Sequence, residues 1–280
     1  MEYKMKKITK SVLYLLAGIF ANGCNNCEPF IVAHRGNSSV APENTIAAYR
    51  SAWENGFKYI EIDVHSTADD NIICLHDKTL TRVSQNASTK NVSEMTLEEI
   101  KQFDVGSWKD QKFAGEKPPT LEELFSILPT DVSIVLEIKS VNDNFPLKLI
   151  DLMTKYNISK ERIIIISFSE HALRNLNKLT PGFKTNFLIG LDDLQNDPSK
   201  AKMTAEELIA KLQDMGVTGV DARVGIALDR DYIQKVKSAG LDFHVWTIDN
   251  PDNAVRLKNA GVTSITTNRP IEIRKSLFNK

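Results

Sequence analysis

The chain has little of what marks fibrous, disulfide-bonded or nucleic-acid-binding proteins. Its 3 cysteines cannot form a disulfide framework, and its 13 glycines and 10 prolines exclude a collagen-like or low-complexity chain. The 35 basic and 36 acidic residues leave a net charge of −1, so no basic excess is available to hold a nucleic-acid backbone. The 280 residues are 42% hydrophobic and 25% charged, which is the balance of an ordinary globular enzyme or binding domain.

The first two dozen residues have the pattern of an export signal. Four lysines precede an apolar run over residues 11–21, which is about half of the ~20 residues that a membrane-spanning helix needs. Asn22-Gly23-Cys24 then resembles the cleavage box of a bacterial lipoprotein, in which Cys24 becomes the lipidated first residue. We therefore predict a signal peptide over residues 1–23, a short tether over 24–29, and an exported protein that is lipid-anchored in the bacterial cell envelope.

Ordinary signal cleavage is the alternative for the same segment. It would give a periplasmic or secreted protein in which Cys24 and Cys27 are free or paired. The spacing Cys24-x-x-Cys27 also fits a redox motif, but no strand-to-helix context surrounds it. Cys74 lies within an apolar run and is expected in the core.

From residue 30 onward, short apolar runs alternate with amphipathic segments. The predicted strands cover residues 30–34, 59–63, 72–75, 132–138, 162–167, 184–189, 217–221, 242–247 and 262–267. The predicted helices cover residues 43–55, 121–128, 145–156, 170–179, 205–215, 229–239 and 252–260, with a small one at 97–103. This alternation is typical of parallel strands joined by helical crossovers.

Loop length decides how nine predicted strands are arranged. Only residues 65–71 lie between Val64, which follows the second strand, and Ile72, which begins the third, whereas a parallel crossover needs about a dozen residues or more. The third strand should therefore return antiparallel, and the other eight form one (β/α)₈ TIM barrel over residues 30–280, with an insertion at about 77–119. Such a hairpin brings His76 to the carboxyl ends of the strands, where active sites of these barrels lie.

Carboxylates interrupt two of the predicted strands near their carboxyl ends. Glu61 and Asp63 are two residues apart, so their side chains share one face, and Glu137 lies on the next barrel strand. Three carboxylates at one barrel mouth repel one another unless a positive charge lies among them. All-oxygen ligands favour Mg²⁺ or Ca²⁺, with Mn²⁺ as a third candidate. The alternative is an ion network in which Arg35 and Lys139 neutralise Glu61 and Glu137.

Two histidines are predicted beside these carboxylates. His34 ends the first strand, and His76 follows the returning hairpin arm. Because imidazole titrates near neutral pH, such a pair can supply one base and one acid. Arg35 and Lys139 are suited to holding a phosphate. These residues together indicate a metal-assisted phosphoester hydrolase.

An ordered set of short motifs resembles the glycerophosphodiester phosphodiesterase family over essentially the whole mature chain. In chain order they are Ala33-His34-Arg35-Gly36, Ala41-Pro42-Glu43-Asn44-Thr45, Glu61-Ile62-Asp63-Val64, Leu75-His76-Asp77, Pro119-Thr120-Leu121-Glu122-Glu123, Leu136-Glu137-Ile138-Lys139, Ser167-Phe168 and Val245-Trp246-Thr247. Each motif is weak alone, but the ordered set is highly specific. The resemblance implies a (β/α)₈ barrel that hydrolyses glycerophosphodiesters to glycerol 3-phosphate and an alcohol.

The resemblance also implies roles for single residues. The matching positions are Glu61, Asp63 and Glu137 for the metal, His34 and His76 for the catalytic pair, and Arg35, Glu43, Lys139, Phe168 and Trp246 for the substrate. We favour His34 as base and His76 as acid, although the residues alone allow the reverse. The attacking group is a water or the glycerol hydroxyl of the substrate.

One motif departs from the family. Where the family commonly has Thr-Asp-x-Pro after the last strand, this chain has Thr267-Asn268-Arg269-Pro270, which keeps a hydrogen-bonding side chain and loses a charge. Two other functions compete with this one. The first is a phospholipase D-like or phosphoinositide-cleaving hydrolase on the same barrel. The second is a non-catalytic barrel that binds phosphodiesters or a protein, which would be expected to have lost a histidine or a carboxylate.

Overall fold

The structure is a computed structural model that describes residues 28–85, 88–191, 203–225 and 228–278. The predicted signal peptide, Cys24 and Cys27 lie outside these residues, so the predictions made for them stay predictions. Within the described part of the chain, every helix is too short or too polar to cross a bilayer.

In the described ranges, nine strands form one sheet. They are β1 (Phe30–Ala33), β2 (Tyr59–Ser66), β3 (Ile72–Cys74), β4 (Ser133–Ser140), β5 (Ile163–Ser167), β6 (Lys184–Gly190), β7 (Gly219–Arg223), β8 (Asp242–Trp246) and β9 (Ser264–Thr267). The first strand pairs in parallel with both β2 and β9, which closes eight strands into a ring, while β3 pairs antiparallel with β2 outside this ring. The predicted TIM barrel and its hairpin arm are therefore confirmed.

Helices surround this ring. In the described residues they are α1 (Ile46–Glu54), α2 (Leu97–Ile100), α3 (Leu121–Ile127), α4 (Phe145–Lys155), α5 (Glu170–Leu179), α6 (Ala205–Met215), α7 (Arg230–Ser238), α8 (Pro251–Ala260) and α9 (Pro270–Phe278). Local sequence explains their ends. Thr45, Thr120 and Thr204 accept hydrogen bonds from the first turns of α1, α3 and α6, and Gly261 ends α8 in the left-handed conformation.

Most elements lie within a few residues of their predicted bounds, and the differences at the barrel mouth, in the insertion and at the last helix have physical reasons. Strands β2 and β4 continue to Ser66 and Ser140, because polar residues at the barrel mouth still hydrogen bond along the sheet. Helix α2 ends at Ile100 rather than at residue 103. Helix α9 was not predicted from the sequence, and it buries only Pro270, Ile273 and Leu277.

Alternate strand residues divide the core into two layers. Ile60, Ile62 and Val64 of β2 face outward into the large apolar cluster beneath the helices, whereas Glu61 and Asp63 face inward. A smaller inner cluster fills part of the barrel, and the rings of Phe30 and Tyr59 stack at the amino end of β1 and β2 with centroids 4.0 Å apart. The open, polar end of the barrel is thus the mouth formed by the carboxyl ends of the strands.

The insertion after β3 has a core of its own. Its apolar side chains pack with Ile73 and Leu75 of the hairpin arm: Leu80, Val83, Val92, Met95, Ile100 and Val105 are all buried. His76 and Asp77 come directly before this cluster in sequence. Packing of the insertion therefore fixes the segment that carries His76 to the mouth.

Candidate active site

Glu61, Asp63 and Glu137 converge at the barrel mouth. Asp63 of β2 is the register partner of Glu137 of β4, and each of the three residues offers an oxygen within 4.8 Å of the others. All three are buried, with 2%, 0% and 7% of the residue surface exposed. We call these three residues the acidic cluster. The convergence follows from two strand neighbours whose inward positions reach the mouth at the same height.

The acidic cluster is electrostatically unbalanced. Burial and the neighbouring Asp63 raise the pKa of Glu137 to about 8, and burial together with Asp63 and Glu137 raises the pKa of Glu61. Burial opposes the charge on Asp63 as well, but Lys139 and Arg35 outweigh it and hold its pKa at about 2. All three side chains can be ionised together only if a further positive charge lies among them.

The oxygens of the acidic cluster fit a hard divalent cation. Glu61 Oε1 is buried without a hydrogen-bond partner. Asp63 Oδ1 and Glu137 Oε1 face the Lys139 ammonium at 3.2 and 2.6 Å, yet neither makes a well-oriented hydrogen bond. Each of the three residues thus presents an incompletely satisfied oxygen, which is the donor type that Mg²⁺ and Ca²⁺ take.

Arg35 reaches the acidic cluster from the loop after β1. Its backbone N–H donates to Glu61 Oε2 at 2.8 Å, and its guanidinium lies 3.3 Å from Asp63 and 2.9 Å from Glu43. Arg35 is left-handed with φ 55°, a conformation that these contacts hold in place. Gly36 is also left-handed, and a Cβ there would lie 2.6 Å from the backbone of Ala48.

The ion-network alternative is therefore partly present, with different partners. Lys139 pairs with Glu137 and Asp63, as that alternative requires for Glu137. Glu61 instead receives the backbone N–H of Arg35, whose side chain pairs with Asp63 and Glu43. Glu61 is the carboxylate that the network leaves without a cationic side chain in hydrogen-bond contact.

Asn44 is a residue of the site whose role was not predicted from the sequence, although it lies within the motif Ala41-Pro42-Glu43-Asn44-Thr45. Its Nδ2 donates to Asp63 Oδ2 at 2.7 Å, and its Oδ1 accepts from the backbone N–H of Asp63 at 3.2 Å and from Tyr49 Oη at 3.0 Å. Asn44 thereby fixes the orientation of the most buried carboxylate. Its place between Glu43 and the helix-capping Thr45 is the signal that points to it.

His34 lies at the edge of the acidic cluster. Its Nε2 is 3.8 Å from Glu61 Oε2, and its Nδ1 is 2.7 Å from Asn268 Oδ1. Burial, reinforced by the neighbouring Arg35 charge, lowers the pKa of His34 to about 4. The ring is therefore neutral at physiological pH and can accept a proton.

His76 lies on the insertion side of the same mouth, in a more open position. Its Nδ1 is 2.7 Å from Asp77 Oδ1, and about a third of its side chain is exposed. Asp77 in turn accepts from Arg82 Nε at 2.7 Å. The same guanidinium donates two hydrogen bonds to Glu43, at 2.8 and 2.7 Å. Arg82, which was not predicted to be a site residue, thus joins Asp77 beside His76 to Glu43 beside Arg35.

His65 lies below this group and is fully buried. Its Nε2 donates to the backbone carbonyl of His76 at 3.3 Å. Burial lowers the pKa of His65, so the ring is neutral. It supports the hairpin that carries His76.

Phe168 and Trp246 form an aromatic pair on the opposite side of the mouth. Their ring centroids are 5.8 Å apart in an edge-to-face arrangement, and Phe168 is 52% exposed. The indole N–H of Trp246 donates to the Asp221 carbonyl at 3.2 Å, and the Arg223 guanidinium lies 5.9 Å from the indole ring. An exposed aromatic edge at this position offers an apolar wall to a bound molecule.

Fold and site together define a class: a (β/α)₈-barrel enzyme whose charged centre lies at the carboxyl ends of its strands. Comparison with known proteins identifies the family within this class. The chain belongs to the glycerophosphoryl diester phosphodiesterase family, whose family model matches residues 34–272.

Individual relatives agree with the family assignment. A glycerophosphodiester phosphodiesterase of Caldanaerobacter subterraneus subsp. tengcongensis is 34% identical over 244 residues, which are 86% of this chain and 94% of the relative. A Bacillus subtilis glycerophosphodiester phosphodiesterase is 32% identical over 85% of this chain and 83% of its own length. Among solved structures, an Oleispira antarctica phosphodiesterase in complex with the product sn-glycerol-3-phosphate has the same fold, with a TM-score of 0.78, 24% identity, and coverage of 89% of this chain and 97% of the other.

Proposed function

We propose that this protein hydrolyses glycerophosphodiesters to glycerol 3-phosphate and an alcohol, with a divalent cation and two histidines. The observation that carries the proposal is the convergence of the acidic cluster with two cationic side chains and two imidazoles at one barrel mouth. Family membership and the product named for the Oleispira enzyme support the substrate class.

The acidic cluster would hold the cation. Glu61, Asp63 and Glu137 are the ligand candidates, because their oxygens are close, buried and incompletely satisfied. A bound Mg²⁺ or Ca²⁺, or Mn²⁺, supplies positive charge against a phosphoryl oxygen whose negative charge grows in the transition state. Arg35 and Lys139 add positive charge at the same place, since both side chains reach the acidic cluster from the rim.

His34 suits the role of base. Its lowered pKa of about 4 keeps the ring neutral, so Nε2 can take a proton from the attacking water or glycerol hydroxyl. His76 suits the role of acid, because it lies on the open side of the mouth, where the departing alcohol can leave, and Asp77 at Nδ1 fixes the orientation of its ring. Phe168 and Trp246 would line the apolar side of the substrate.

A product assay tests the whole proposal. Soluble glycerophosphodiesters with different head groups are incubated with the enzyme, and glycerol 3-phosphate is measured with a chelator and after metal add-back. We expect release that the chelator abolishes and Mg²⁺, Ca²⁺ or Mn²⁺ restores. Activity on micellar phospholipid alone would support the phospholipase D-like alternative, and binding without product would support a non-catalytic barrel.

We also propose that Cys24 anchors the protein to the cell envelope through a lipid. The support is the sequence pattern of residues 1–24, which precede the described part of the chain. Expressed in a bacterial host, the full chain should incorporate labelled fatty acid and sediment with membranes. The Cys24→Ala variant should do neither. Equal labelling of the two proteins would exclude lipidation at Cys24.

A further inference from the structure

A line of hydrogen bonds leaves the site behind His34. Asn268 Oδ1 faces His34 Nδ1 at 2.7 Å, and Asn268 Nδ2 donates to Asp249 Oδ2 at 2.7 Å. Asp249 Oδ1 accepts from the backbone N–H of Asn268 and from the Thr267 hydroxyl, each at 2.8 Å. Asp249 thus receives three donors from the segment at the end of β9.

These contacts fix which way the Asn268 amide points. A carboxylate only accepts hydrogen bonds, so the NH₂ group of Asn268 must face Asp249. The amide oxygen then faces the other way, where it accepts from Ser38 Oγ at 3.1 Å. An amide oxygen only accepts as well, so His34 Nδ1 must carry a proton. A neutral His34 therefore keeps its lone pair on Nε2, the nitrogen that lies 3.8 Å from Glu61.

We infer that Asp249 and Asn268 are positioning residues, which fix the Nδ1–H tautomer and the ring orientation of His34 so that Nε2 faces the substrate. The inference rests on the proposed function for the claim that Nε2 takes the proton. It also accounts for the departure from the family motif. The negative charge that is absent at Asn268 is present at Asp249, one hydrogen bond further from the imidazole ring. Asp249 orients the Asn268 amide, and the amide oxygen in turn selects which ring nitrogen carries the proton.

The substitution Asp249→Asn should reverse the donor and acceptor ends of the Asn268 amide, and with them the tautomer of His34. The introduced amide would still accept from the Asn268 backbone with its oxygen, leaving its NH₂ group toward the Asn268 side chain. The Asn268 amide must then turn its oxygen toward position 249 and its NH₂ group toward His34, which demands a lone pair on Nδ1. We therefore expect Asp249→Asn to lower kcat at least about 10²-fold, the smaller end of the usual contribution of a general base, with KM changed less than about threefold.

Exchanging the two side chains should restore activity. In the double variant Asp249→Asn, Asn268→Asp, the new amide donates to the new carboxylate, which accepts from His34 Nδ1 and Ser38. We expect kcat within about tenfold of the wild type, because one general base is ordinarily worth more than that. Asp252→Asn, on the exposed first turn of α8, is the matched control and should leave kcat unchanged. Failure of the exchange to restore kcat would contradict a tautomer role.

The tautomer is measured directly, without turnover. Nitrogen-15 NMR of the full chain labelled at histidine, assigned with His34→Gln, should show His34 Nδ1 protonated and Nε2 unprotonated at pH 8, and the reverse in Asp249→Asn. A protonated Nε2 in the wild type would overturn the inference whatever the activity. The expected spectra combined with full turnover in Asp249→Asn would instead count against His34 as the base, and so against the proposed function.

Discussion

At the scale of single residues, the two histidines have different surroundings. His34 is buried with a pKa of about 4, and His76 is open and paired with Asp77. His34→Ala and His76→Ala should each lower kcat by ~10²–10⁴-fold, the usual contribution of one base or acid, without loss of the circular dichroism spectrum. His171→Ala, on the exposed surface of α5, is the control. Wild-type turnover in either variant would exclude that histidine from catalysis.

Arg82 lends itself to a second residue-scale test. Its guanidinium holds Asp77 and Glu43 at once, so Arg82→Met releases the partner of His76 and the partner of Arg35 together. We expect kcat/KM of Arg82→Met to fall on the order of tenfold. Arg82→Lys should recover part of the lost kcat/KM, since a lysine keeps the positive charge but lacks the planar guanidinium that can bind two carboxylates at once.

The control for Arg82 is Arg174→Met. Its side chain is 43% exposed against 44% for Arg82, and it pairs with Asp214 and Glu170 on the outer helices. An equal loss of kcat/KM in both variants would show a general effect of removing an arginine rather than a role at the mouth.

Residue types at strand ends predicted much of this site, but not all of it. Glu61, Asp63 and Glu137 could be placed together because strands have a fixed period of two and a common end. Arg82 could not, since it lies in an irregular segment of the insertion where no period relates it to the barrel. The Asp249–Asn268 hydrogen bond joins two loops and depends on their exact paths.

At the scale of elements, loop length was the decisive signal. The short connection between β2 and β3 required a hairpin, and that hairpin sets which rim of the barrel His76 reaches. Helix α9 escaped prediction because only three of its residues are buried and its apolar face is narrow. Such a helix is stabilised by packing on the finished barrel rather than by its own sequence.

We expect the activity of the enzyme to depend on the stability of the insertion core. Leu80 is fully buried in this core, so Leu80→Ala should lower the free energy of unfolding by about 2–5 kcal/mol. Because His76 and Asp77 directly precede it, we expect kcat to fall in urea before the barrel signal changes. Urea titration followed by activity and by circular dichroism checks this. Leu147→Ala, at a position 51% exposed on α4, should show neither effect.

At the scale of the whole molecule, the barrel interior contains a carboxyl group outside the site. Asp221 of β7 is buried, its Oδ1 has no hydrogen-bond partner, and burial raises its pKa to about 7. The native state therefore keeps the proton on Asp221 between pH ~4 and 7, while the unfolded state releases it. The stability that this proton contributes is complete below the unfolded pKa and is lost as pH rises through about 7.

Asp221→Asn should remove that pH dependence. We expect its free energy of unfolding to gain on the wild type by about 2–3 kcal/mol between pH 5 and pH 8, measured by urea unfolding at both values. The exposed Asp151→Asn should follow the wild type. A constant difference between Asp221→Asn and the wild type across this range would contradict the neutral state of Asp221.

The seam of the ring joins the two ends of the described chain. Strand β1, which begins at Phe30, has β9, which ends at Thr267, as one of its two neighbours. A polypeptide that is still emerging from the ribosome and has not yet reached β9 lacks the last strand, so it cannot close the barrel. Synthesis must therefore pass residue 267 before the eight strands can form a closed ring.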